Sequence, residues 1–103
     1  METIRVKDHL AFSDQGPVKS VFYDADNIKA QTVCLQAGQS IPPCTMEHDV
    51  LFYFIDGSGR IIVDGDVATV HAGTCAVVPK TAQSRSIEAT TNMKILAVQA
   101  VVR

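Results

Sequence analysis

Apolar residues recur at every second position along most of this chain. No window of about eleven or more residues carries the i, i+3, i+4, i+7 stripe of an amphipathic helix. Ile4 and Val6 alternate with polar neighbours, as do Val33 and Leu35 in "TVCLQA". The segments "VLFYFI", "RIIVDGDVATVHAG", "TCAVVP", "RSIEA" and "MKILAVQAVVR" follow, each rich in β-branched or aromatic residues and bounded by Gly, Pro, Asn or Asp. Such spacing predicts about nine short strands and an all-β sandwich or small barrel.

The connections can be read from turn chemistry. "DGSG" at 56–59 separates two strands, and Asp64-Gly65 has the residues of a type I′ hairpin turn. Pro42-Pro43 cannot donate to a ladder, which places an edge or a strand end there. "ATTN" at 89–92 predicts another hairpin.

In "VLFYFI", Val50, Phe52 and Phe54 share one face, while Leu51, Tyr53 and Ile55 share the other. A strand apolar on both faces is covered on both. "ILAVQAVV" near the C-terminus is similar, interrupted only by Gln99. A second copy of the chain is the expected cover, giving a homodimer. The competing reading is an N-terminal strand of the same chain.

Composition narrows the class. At 103 residues with 47% hydrophobic and 19% charged residues, the chain is expected to form one globular domain over 1–103. A net charge of −2 without runs of like charge gives no reason to expect nucleic acid or an anionic membrane as partner. The N-terminus shows no apolar signal core, and the longest apolar run is far too short to span a bilayer. Cys34, Cys44 and Cys75 are odd in number and widely spaced, which fits free thiols and a cytoplasmic protein.

Candidate chemistry gathers in "CTMEHDV", 44–50. The motif skeleton around it, "GQSIPPCTMEHDVLFYFIDGSGRIIVDG" from Gly38 to Gly65 followed by "AGTCAVVPK" at 72–80, resembles the small single-domain cupins. Their motifs are written G-x5-H-x-H-x3-4-E-x6-G and G-x5-P-x-G-x2-H-x3-N. Gly38 and Gly57 match the ends of the first, and Gly73 and Pro79 match the second. With the strand and turn pattern, the resemblance covers roughly residues 30–102.

The resemblance implies a jelly-roll β-barrel whose cavity holds a divalent metal on His, His, Glu and His. Here those positions read Cys44, Met46 and Val50. The fourth is Ser84 by strict spacing from Pro79, or Arg85 if the loop is one residue longer, and Thr81 replaces the motif glycine. Hard divalent ions need carboxylate and imidazole donors, so no metal cofactor is expected. The expected function is a stand-alone cupin-like protein binding a small organic molecule. Its apolar pocket would draw on Cys44, Met46, His48, Val50, Phe52, Phe54, Ser84 and Arg85.

Other readings use the same residues. Cys44 and Met46, with His48, would suit a soft copper(I)-like ion; the plainer reading is that both fill the cavity as apolar groups. An enzyme would use either a non-standard divalent or soft metal on Cys44 and His48 or a metal-free Cys44–His48 nucleophile pair, whereas a turn histidine flanked by Glu47 and Asp49 is otherwise simply solvated. Strand alternation puts Arg85 on the face of Ile87, where it would need an anion such as a carboxylate or phosphate. Alternatively it lies outside the strand and meets water. A purely structural barrel, filled solid by its own side chains, is the third class. His9 and His71 carry no assignment, and Cys34 and Cys75 are expected to be packed.

Overall fold

The alternating segments form nine strands: β1 Val18–Asp24, β2 Ile28–Leu35, β3 Ser40–Cys44, β4 Asp49–Asp56, β5 Gly59–Val63, β6 Asp66–Val70, β7 Cys75–Val78, β8 Arg85–Ala89 and β9 Met93–Ala100. The structure, a computed structural model, describes residues 1–101, and the two final residues of the expected last strand lie outside them. Two antiparallel sheets result, ordered β1-β2-β9-β4-β7 and β3-β8-β5-β6. Their facing sides enclose the core, with Leu35, Phe54, Met93 and Ile95 fully buried alongside Val33, Val50, Ile61 and Ile87. Each such side chain contributes roughly 1.5–3 kcal/mol by leaving water.

The Asp64-Gly65 turn joins β5 to β6, with φ of 50° and 87° at its two residues, as a type I′ turn requires. Asp64 also braces a second segment, because its carboxylate accepts the backbone N–H of Gln83 and of Ser84 and so pins the loop before β8. The expected hairpin at 89–92 is corrected, because β8 and β9 belong to different sheets. That segment is a crossing, and so is 56–59. The two are stitched together: Thr90 and Thr91 donate to the Ser58 carbonyl, and the Ser58 N–H donates to Thr91 Oγ1. Gly57 (φ 89°) lies so close to this second crossing that a Cβ would collide with the Asn92 carbonyl. A Cβ on Gly59 would strike the Glu88 carbonyl.

β3 is an edge strand, as its two prolines anticipated. Its register on β8 slips between Ile41 and Cys44, where Pro42 and Pro43 interrupt the ladder.

The N-terminal strand expected around Ile4 and Val6 is replaced by a single 3-10 turn, Val6–His9. Its polar run of Lys7, Asp8 and His9 breaks the alternation after Val6. This segment lies across the outer side of β1 and β2. Thr32, fully buried there, donates its hydroxyl to the His9 carbonyl, and the His9 ring rests 5.4 Å from that of Phe22. Cys34 is buried beside Ala11. The strap does not cover β4 and β7: Leu51, Tyr53 and Val77 keep 38%, 39% and 67% of their surface. No helix among the described residues is long and apolar enough to cross a membrane.

Candidate functional site

Two strand alternations aim side chains into one end of the barrel. In β8, Arg85 and Ile87 share the inward side, and Cys44 is the direct partner of Arg85 across the β3–β8 ladder. The register left open between Ser84 and Arg85 therefore resolves to Arg85. Ser84 sits in the loop, its N–H held by Asp64. The Arg85 guanidinium carbon lies 5.1 Å from the centre of the Phe52 ring, a cation–π distance. Arg85 Nη2 donates to Met46 Sδ, and Gln99 Nε2 reaches the same sulfur at 3.9 Å.

Sheet pairing explains how a guanidinium fits. Gln31, Ala97, Phe52 and Ala76 form one inward row across β2, β9, β4 and β7. The two alanines keep that row low on both sides of Phe52. The next row carries Lys19 and Val33. Of these, Lys19, Gln31, Val33 and Phe52 bound a cavity of about 30 Å³ together with Ile41, Cys44, Ile87 and Arg85. A cavity of this size admits a small head group or a few waters. The cavity wall carries two basic side chains, Lys19 and Arg85, and no acidic one.

Arg85 Nη1 is buried and has no hydrogen-bond partner among the described residues. No carboxylate pairs with this guanidinium among them either. A buried donor without a partner is costly, so an unmatched cationic one is the strongest chemical feature of the site.

Of the residues singled out in the sequence, Cys44, Phe52 and Arg85 stand on the cavity wall. Met46 adjoins it through its contact with Arg85. Val50 and Phe54 are sealed in the core instead, because their neighbours on β9 and β7 close over them. His48 is half-buried after β3, off the wall, and no hydrogen bond joins it to Cys44 among the described residues. Cys75, expected to be packed, is exposed on the outer side of β7. Lys19 and Gln31 were not singled out. Gln31 was legible in principle, since it shares the β2 phase of Val33 and Leu35. Lys19 was not, because β1 shows weak alternation.

Among the described residues, no group of three His, Cys, Asp or Glu side chains is placed to hold a metal ion. The donors at the family's ligand positions are a thiol, a thioether, a hydrocarbon and a guanidinium, which do not fit a hard divalent ion.

Comparison with known proteins agrees with the barrel. The Cupin domain family matches residues 31–99, two thirds of the chain, and this protein belongs to that family. An RmlC-like cupin protein from Desulfovibrio desulfuricans superposes with a TM-score of 0.86 at 25% identity, over 97% of this chain and 96% of its own. A Thermus thermophilus protein superposes with a TM-score of 0.88 at 20% identity, over the full length of both chains. A variant of salicylate 1,2-dioxygenase from Pseudoaminobacter salicylatoxidans superposes with a TM-score of 0.79 at 16% identity, over 91% of this chain but 29% of its own. Comparison with curated proteins finds no match in sequence. The chain is thus a small cupin-type β-barrel protein.

Proposed function

We propose that this cupin is a metal-free binding protein that takes a small organic molecule at the Arg85 end of its barrel. The supporting observation is the guanidinium itself, set inside the barrel 5.1 Å from Phe52 and opposite Cys44. A divalent cation seated among the family positions would meet that positive charge without a carboxylate to offset it. Apolar walls with a few placed polar groups suit a small-molecule site. The cupin fold also carries enzymes, the dioxygenase above among them, so the fold alone does not choose between binding and catalysis. An enzyme built on a Cys44–His48 pair is disfavoured because Cys44 lies on the cavity wall and His48 off it, with no hydrogen bond between them among the described residues.

Elemental analysis of protein purified without chelators tests this reading. The expected result is transition metal far below one equivalent per chain. A stoichiometric metal that disappears in Cys44→Ala would refute it.

The outer side of β4 and β7 supports a second element, a homodimer. Leu51, Tyr53 and Val77 form an apolar surface that the N-terminal strap leaves open. Light scattering should give twice the chain mass, and Tyr53→Glu should return it to one chain. The free thiols are in keeping with a reducing, cytoplasmic setting.

A further inference from the structure

The cavity discriminates by charge. The whole chain is net negative, at −2, yet the cavity wall carries Lys19 and Arg85 with no acidic side chain beside them among the described residues. Gln31 adds an amide to the same wall, and Arg85 Nη1 is a buried donor still lacking an acceptor. Apolar side chains, Phe52, Ile41 and Ile87, complete the enclosure.

We propose that the ligand is a small monocarboxylic acid, bound as its anion. Its carboxylate lies against the planar fork of Arg85, which offers two N–H donors to two oxygens. Lys19 contributes the second positive charge and Gln31 an amide donor. The apolar body of the acid rests on Phe52 and extends toward the mouth between β1 and β3. Size supports a carboxylate over a phosphate: a cavity of about 30 Å³ suits the smaller, flat head group. Gaining the anion satisfies Nη1 and balances the guanidinium in one step, so acid and neutral analogue differ far more than their shapes do. This assignment rests on the small-molecule reading above and names the chemical class within it.

The test uses matched pairs: benzoate with benzamide, cyclohexanecarboxylate with its carboxamide, and hexanoate with hexanamide. Binding is followed by titration calorimetry and by NMR shifts of barrel residues in the intact protein. At least one acid should bind tenfold or more tightly than its amide, and added salt should narrow the difference. Arg85→Met should abolish the preference, Lys19→Met should weaken the acid severalfold, and Arg85→Lys should retain only part of it. A thermal melt of each variant separates loss of binding from loss of fold. Equal affinity for acid and amide would overturn the carboxylate assignment while leaving a small-molecule pocket. Phenyl phosphate binding more tightly than benzoate would overturn it likewise. Silence at barrel residues for both members of every pair would refute the pocket and the assignment together.

Discussion

Replacing Arg85 with methionine should make the unliganded protein more stable. Arg85 is half-buried, its Nη1 is enclosed without a partner, and no carboxylate among the described residues balances the charge. An unsatisfied buried donor costs about 1–3 kcal/mol. Against this stands the stacking on Phe52 at 5.1 Å, a cation–π contact of about 0.5–1 kcal/mol. Methionine keeps a similar length of hydrocarbon and adapts to irregular space. The balance favours Arg85→Met by roughly 0–2.5 kcal/mol, and each kcal/mol raises Tm by about 4–8 °C in a domain of this size. Urea unfolding at two protein concentrations, with circular dichroism melts, measures it and exposes any contribution from association. A variant more than about 1 kcal/mol less stable than the parent would refute the reasoning, because the guanidinium would then be satisfied inside the folded chain. Function and stability would then be opposed at this residue, since the side chain that costs the empty barrel stability is the one proposed to hold the anion.

Glycine substitutions should separate crowding from backbone strain. Gly57→Ala meets both a positive φ and the Asn92 carbonyl, and should cost about 2–5 kcal/mol. Gly38→Ala shares the positive φ but has open space around it, so about 1–2 kcal/mol is expected from denaturant unfolding. Burial pushes the Cys34 thiol above its ordinary 9.0, with the Ala11 backbone and Lys94 pulling more weakly the other way. The unfolded chain therefore loses this proton first. The stability Cys34 contributes is full below about pH 8 and declines as pH rises through the folded-state value. A melt series from pH 7 to 10 should show that decline, and Cys34→Ala should flatten it. Iodoacetamide should label Cys44 in the native protein and reach Cys34 only after unfolding, while Cys75, beside Tyr53 on the proposed dimer face, should react faster in Tyr53→Glu than in the parent, as counted by mass spectrometry.

Much of the barrel was legible because period two and turn chemistry agree. Val50, Phe52 and Phe54 point inward, and Asp64-Gly65 turns between β5 and β6, as their residue types required. Other features depend on what lies opposite a segment. "ATTN" has hairpin composition, yet it crosses between sheets because Ser58 and Gly57 of another crossing receive it. Ile4 and Val6 alternate like a strand, but the next three residues offer no apolar partner and the segment becomes a strap. The motif positions located the site but not its walls. Arg85 was visible as an inward candidate, whereas Lys19 came from a strand whose bulge after Val21 disturbs its phase.

The paired prolines of β3 bear on how a guest reaches Arg85. Neither supplies an amide hydrogen to β8, and the ladder there resumes only at Cys44, beside the cavity. β3 thus pairs with β8 at three residues only, while β9 in the opposite sheet pairs with β2 along its whole length. Because this edge belongs to the four-stranded sheet, a ligand that displaced it would leave the hydrogen-bonded ladder of the five-stranded layer intact.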